Sequence, residues 1–173
     1  INPDSASFLR VYYAGHVYRQ CRHYDQAIEM YEQAPSTRSW KQEYQAQAYL
    51  EKGDYTNAIR LGKLAALAQG GDPIIVNAKY DALEYAFKEG GARRYWEREL
   101  EFELSRNDER HLMRMAVTYA RLNRSDEALS YLTRAIKETP GEFGLKINTN
   151  PSFDSLRTDR RFAAFLNELW RKK

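Results

Sequence analysis

The sequence predicts an all-α protein, a solenoid of about four helical hairpins closed by a C-terminal helix. Three observations carry this reading. A small residue, an aromatic and an alanine recur at fixed spacing, helix start and stop signals fall between the recurrences, and polar and apolar residues are mixed throughout. The 173 residues are 43% hydrophobic and 29% charged, and the longest stretch without Asp, Glu, Lys or Arg is eight residues. A membrane-spanning helix needs about 20 apolar residues, so none is predicted. The net charge of +3 describes a mixed surface, with −1 in residues 1–86 and +4 in residues 87–173. The single cysteine, Cys21, excludes an internal disulfide framework.

The recurrence has three clear members. Gly15 and Tyr18 precede Tyr24-Asp-Gln-Ala27-Ile28, Tyr31 and Ala34-Pro35. Ala46 and Tyr49 precede Gly53-Asp-Tyr55 and Ala58-Ile59, and Ala116 and Tyr119 precede Ser125-Asp-Glu-Ala128-Leu129, Leu132, Ala135 and Pro140. Ala27, Ala58 and Ala128 stand 31 and 70 positions apart, the second gap being two units of 35, so a fourth repeat lies hidden between them. Tyr80, Ala82, Leu83, Tyr85, Ala86 and Phe87 mark its first helix, and Arg93 and Arg94 occupy the place of its alanine, so this repeat is degenerate or shifted. The expected boundaries are 5–35, 37–69, 72–105 and 107–140, then an extended link over 141–151 and a cap over 152–173. Small residues at 15, 46, 82 and 116 let paired helices approach, and the aromatic three positions on fills the space beside them.

Local signals place the helices. Gly70-Gly71-Asp72-Pro73 offers a glycine C-cap, an aspartate N-cap and a proline at the first helical position. Asn107 and Ser125 are expected N-caps. Gly90-Gly91 reads as a turn between helices. Residues 96–104 alternate like a strand, yet Trp96, Leu100 and Leu104 share a helical face, and four glutamates in nine residues favour helix. Gly141-Glu-Phe-Gly144 with Lys146-Ile147-Asn148 reads as extended chain. Asp159 to Arg171 reads as an amphipathic helix presenting Phe162, Phe165, Leu166, Leu169 and Trp170 to the core.

Gly15-x2-Tyr18, Ala27-x3-Tyr31 and the closing proline resemble the tetratricopeptide repeat, a helix-turn-helix unit of about 34 residues. The tail Asn150-Pro-Ser-Phe153-Asp-Ser-Leu156-Arg157-Thr-Asp159-Arg-Arg-Phe162 resembles the DPxFDPLRxDPRF ending that follows such repeats in bacterial multidomain regulators. Arg160 stands where that pattern has proline, which leaves the Asp159 cap in place. The resemblance implies a right-handed superhelix, no chemistry of its own, and attachment to a kinase, adenylate-cyclase-like or winged-helix domain. The opening Ile1-Asn-Pro reads as the junction closing an earlier repeat, so the chain is expected to be part of something longer, in the cytosol or beyond an upstream membrane segment.

The side chains that invite a catalytic reading fall short of it. His16, Cys21 and His23 cross a helix end without a CxxC, an HExxH or a matching carboxylate pair, and His111 sits at a helix start as an ordinary solvated histidine. Glu97, Glu99, Glu101 and Glu103 imitate paired carboxylates, but neighbours two apart on a helix diverge by about 200°, so a solvated face is expected. The sequence holds no GxSxG, Walker loop or GxGxxG. No cofactor, metal or catalytic group is therefore predicted.

What remains is the inner face that the resemblance implies, lined by the first helix of each repeat. Carried over by register, it comprises Tyr12, His16 and Arg19, then Trp40, Glu43, Gln47 and Glu51, then Lys79 and Tyr80, then Arg110, Met113, Arg114 and Arg121. A peptide or partner helix would lie there, anchored by Tyr12, Trp40 or Tyr80, with Arg110 and Arg114 meeting acidic groups. Against this stands the ordinary fate of aromatics at helical spacing, which is core packing. The carboxylate clamp of chaperone-binding relatives is absent, since Tyr12 and His16 occupy its first-repeat positions. The leading function is thus a non-enzymatic interaction module. One rival is nucleic-acid association through Arg157, Arg160, Arg161, Arg171, Lys172 and Lys173, where interleaved acids would weaken binding. The other is self-assembly, with the degenerate third repeat or an uncapped first helix bearing Phe8, Leu9 and Val11 pairing two chains.

Overall fold

The computed structural model describes residues 3–35, 40–105, 112–138 and 144–171, with their side chains except at 3–8, 144–146 and 170. Every regular element among them is helical: α1 (Pro3–Gln20), α2 (Tyr24–Glu32), α3 (Trp40–Lys52), α4 (Tyr55–Ala68), α5 (Pro73–Ser105), α6 (Leu112–Arg121), α7 (Ser125–Glu138), α8 (Gly144–Thr149), a 3-10 turn (Pro151–Leu156) and α9 (Arg160–Arg171). No helix in the described residues is long and apolar enough to cross a membrane. The chain divides into two compact units, Ile1–Ala92 and Arg93–Lys173, each with its own core.

One turn is used three times. Arg22 at φ 64°, Gly53 at φ 91° and Asn123 at φ 57° sit in the left-handed region. The next residue in each case donates its N–H to a tyrosine carbonyl, from His23 to Tyr18, Asp54 to Tyr49 and Arg124 to Tyr119, at 2.9 Å each. The alanines Ala27, Ala58 and Ala128 then donate back to residues 23, 54 and 124 at 3.0 Å, opening α2, α4 and α7. This reversal satisfies carbonyls at the end of one helix and starts the next within two residues. The tyrosine of the recurrence therefore supplies a backbone acceptor at the helix end as well as a ring.

In the first unit, α1 and α2 close on Gly15, where a β-carbon would collide with the Tyr31 ring. Ala27, Tyr31 and Ala48 are fully buried at the centre. The α3–α4 hairpin buries Ala58, Ile59, Leu61 and Ala65, and Asp54 caps α4 by accepting from the Asn57 N–H at 3.1 Å. Gly70 takes φ 84° at the end of α4, Gly71 donates to the Ala66 carbonyl at 3.0 Å, and Asp72 accepts from the Ile74 N–H at 2.8 Å. The expected glycine, aspartate, proline punctuation is thus formed in full.

The degenerate repeat keeps its expected break but differs from expectation in its packing. Gly90-Gly91 interrupts α5 as the expected break between two helical segments, both residues leaving helical φ/ψ and Gly91 standing at φ 63°, ψ −153°, a region essentially restricted to glycine. Tyr85, expected beside a helix contact, is 64% exposed, because α5 turns Val76, Leu83 and Ala86 inward instead. Ala46 and Ala82 are only half-buried, whereas Gln45, Ala48, Leu83 and Ala86 are buried, so the closest packing in these two repeats falls beside the expected notch.

In the second unit, α6 and α7 pack Met115, Ala116, Tyr119 and Ala120 against Ala128 and Leu132. The link expected to be extended is helical over Gly144–Thr149, since one helical turn carries Ile147 into the core, where it is 1% exposed. Positions 141–143 lie outside the described residues. Phe153 and Leu156 project from the 3-10 turn and Phe162 from α9, all essentially buried. Ser155 Oγ donates to the Ala120 carbonyl at 2.8 Å, which ties the turn to the end of α6. Asp159 caps α9, accepting from the Arg161 N–H at 2.9 Å as expected. Ser125, by contrast, is the first residue of α7, and Arg124 stands at the cap position. Asn107 lies outside the described residues.

Candidate functional site

Helices α1 and α3 bring six of the expected groove residues onto one face of the first unit. The Tyr12 ring meets Trp40 and Tyr44 edge-on, each at 5.4 Å between centroids, and its hydroxyl lies 3.3 Å from that of Tyr44. His16 packs at 4.4 Å from Tyr12 and 4.6 Å from Tyr44, with Nδ1 3.3 Å from the Tyr31 hydroxyl. Further along the same face, Arg19 donates to Gln47 Oε1 and lies 3.7 Å from the Glu51 carboxylate. The pairings advance together along both helices, 12 with 40 and 44, 16 with 44, 19 with 47 and 51, which requires parallel helices in a constant register.

The face is therefore an aromatic wall continued by a polar strip. Edge-to-face rings at these distances are mutually attractive and hold one another in place. Burial raises the Tyr31 and Tyr44 hydroxyls above the ordinary tyrosine pKa, and for Tyr44 the hydrogen bond with Tyr12 adds to the effect. Both stay neutral across physiological pH. The wall offers contact area, hydroxyls and one Arg–Glu pair.

Tyr44 and Tyr31 complete the wall and were not among the expected residues. Tyr44 had a readable signal, since it follows Trp40 by four positions and so shares its helix face. Tyr31 belongs to the second helix of its repeat and reaches the face only because Gly15 leaves room for its ring.

Of the first unit's other candidates, Glu43, Lys79 and Tyr80 make different contacts. Glu43 is exposed and accepts from Gln69 Nε2 at 2.9 Å. Tyr80 packs over Gly62, whose absent β-carbon would stand 2.9 Å from the ring, and Lys79 Nζ lies 5.9 Å from the same ring's centroid. Met113 is packed against the core of the second unit. Arg114, expected to meet a partner's acids, meets the chain's own, Glu103 at 2.5 Å and Glu99 at 3.3 Å. The Arg121 guanidinium lies 5.8 Å from the Trp96 ring centroid and donates to Ser152 Oγ at 3.3 Å. Arg110 and His111 lie outside the described residues.

The glutamates of α5 correct a second expectation. Glu97 pairs with Arg93 and Arg94, and Glu101 with Arg98, as a solvated face would. Glu99 and Glu103, one helical turn apart, face α6, and the Glu103 side chain has no exposure at all. Leu104 is exposed in its place. Of the basic tail, Arg157 is held by Asp154 at 2.7 Å and Arg161 by Asp159 at 2.7 Å, which removes two cations from any continuous basic surface.

Two stretches of the chain, residues 14–43 and 112–142, match a family model described as the tetratricopeptide repeat. The first contains Gly15, Tyr18, Ala27 and Tyr31, and the second contains Ala116, Tyr119, Ala128 and Pro140. No curated protein and no solved structure matches the chain. The two matches fall on the α1–α2 and α6–α7 hairpins, whose glycine and alanine packing is laid out above, and together with the all-helical fold they support a tetratricopeptide-type domain.

Proposed function

We propose that this chain is a non-catalytic interaction module, the scaffold or sensor part of a larger bacterial signalling or regulatory protein, which binds a peptide or partner helix along the α1/α3 face. Tetratricopeptide-type repeats generally mediate protein–protein interaction, which supports the general reading. The observation that carries the specific one is the shared face of Tyr12, His16 and Arg19 with Trp40, Gln47 and Glu51, six side chains from two parallel helices of which Arg19 and Glu51 are mostly buried. Such a surface combines rigid aromatic area with a few oriented polar groups, the makeup of interface hot spots. Binding there raises the local concentration of a partner near whatever domain is attached, without chemistry.

The test selects ligands from a random peptide library on the wild-type chain and compares them on variants. Tyr12→Ala combined with Trp40→Ala is expected to weaken selected peptides by more than about tenfold while the far-UV circular dichroism stays helical. Unchanged binding with intact helicity would move the site off α1 and α3.

Self-assembly is favoured by a separate observation. Leu9, Tyr13 and Val17 recur every four residues on α1 and are each about half exposed, so they form an apolar stripe outside the α1/α3 contacts. Light scattering across a concentration series reads this out, and a mass that stays monomeric at the highest concentration would dismiss it.

A further inference from the structure

We infer that the first unit carries a second docking surface, a trough between α4 and the Tyr80 to Lys88 stretch of α5 that takes an acidic amphipathic helix from a partner protein. The trough encloses about 800 Å³ and lies wholly within that unit. Its floor is apolar, with Ile59, Leu64 and Leu67 from α4 and Tyr80 and Phe87 from α5. Two aromatic contacts brace the walls, Tyr55 stacked on Phe87 at 4.8 Å and Tyr80 seated over Gly62. The floor is not fully covered, since Leu64 remains 46% exposed.

Length favours an elongated occupant. The α4 wall runs from Thr56 to Leu67, about 16 Å at the helical rise, or three turns of a docked helix. Ile74 lies seven positions before Asp81, hence on the same face of α5, and is 80% exposed, so the apolar strip extends past the enclosed volume. A helix with apolar side chains at one position per turn fits such a strip.

Charge selects the sign of the occupant. Five ionised side chains line the trough. Lys63 pairs across it with Asp81 at 2.9 Å, and Lys88 pairs with Glu84 at 2.5 Å along α5. Arg60 is exposed, donates to the neutral Asn57 side chain at 3.2 Å and has no ion pair among the described residues. The acid within its electrostatic reach, Asp54, is already engaged in capping α4. A carboxylate on the incoming helix would meet a lining of three cations and two acids, whereas a basic helix would add to the cationic excess.

This surface is distinct from the α1/α3 face and does not depend on it. The probes are two designed three-turn peptides with the same leucine face, one flanked by glutamates and one by lysines, titrated by fluorescence anisotropy. The glutamate peptide is expected to bind the wild-type chain about fivefold more tightly than the lysine peptide. Leu64→Glu should weaken the glutamate peptide more than about tenfold, and Arg60→Glu should invert the preference between the two peptides. Tyr12→Ala should leave both affinities unchanged. Equal affinities for the two peptides, indifference to both trough substitutions, or loss of binding in Tyr12→Ala would each overturn the proposal. Should Leu64→Glu unfold the chain, the Arg60→Glu comparison alone decides it.

Discussion

A single carboxylate shows how residue-scale chemistry is set by what lies opposite. Glu103 is fully buried, and its charge is tolerable because the Arg114 guanidinium reaches it at 2.5 Å while also contacting Glu99. An unpaired buried charge is strongly unfavourable, whereas exchanging a buried pair for apolar groups of similar size is often neutral. Arg114→Ala is therefore expected to lower stability by about 2 kcal/mol, the half-exposed arginine moderating the loss. Glu103→Leu with Arg114→Met should recover most of it in urea denaturation. A double variant as unstable as the single one would show that the pair is not what holds these helices. The same comparison explains why the sequence misassigns this face: α5 carries acid at every second position from 97 to 103, and nothing in that local pattern says which pair points at an arginine of another helix.

At the scale of the element, helix ends are where sequence and structure agree most closely. Asp54 holds its place by accepting from the Asn57 side chain at 2.7 Å and backbone at 3.1 Å. Those bonds favour its ionised form, so its pKa lies below the ordinary aspartate value. A depressed folded pKa contributes stability that is fully present above the unfolded value of 3.8 and is lost as pH falls through the folded one. Asp54→Ala is expected to cost about 1 kcal/mol at neutral pH. The difference from wild type should shrink when melting is repeated below pH 4. A penalty that is constant down to the lowest pH would remove the cap as its source. Gly91 marks a different case, a break between two helical segments set by backbone angles. No atom lies within 4 Å of its would-be β-carbon, so only the backbone angles forbid a side chain. Gly91→Ala should therefore lower the melting midpoint, with a free-energy cost of about 1–3 kcal/mol. A neutral result would mean the break can reform as continuous helix.

At the scale of the whole molecule, the chain divides into two compact units, and each holds a cluster of buried side chains. Tyr31 anchors the first, and Phe153, Leu156 and Phe162 anchor the second. Phe153→Ala removes a ring from a site with no exposure and should cost about 3–5 kcal/mol. Hydrogen exchange should then accelerate in α6 and α7 more than in α2 and α4. Equal acceleration everywhere would show that the two cores melt as one. The tail motif thereby acquires a physical role: Asn150 opens the 3-10 turn by accepting from the Ser152 N–H at 2.9 Å, and the two apolar residues that follow are delivered beneath α6.

Sequence alone determined the helical class, the hairpin period, the punctuation at Gly70 to Pro73 and the cap at Asp159. Each of these follows from rules that act within a turn or two of helix, or from a register repeated along the chain. Tertiary structure decided the rest: which glutamates of α5 are buried, that Tyr85 faces water, that Ile147 winds into a helix, that Tyr31 joins the aromatic wall, and that a trough lies open beside α4. These depend on what the neighbouring helix presents at one height, and a pattern written along one chain does not contain the identity of the side chain standing across from it.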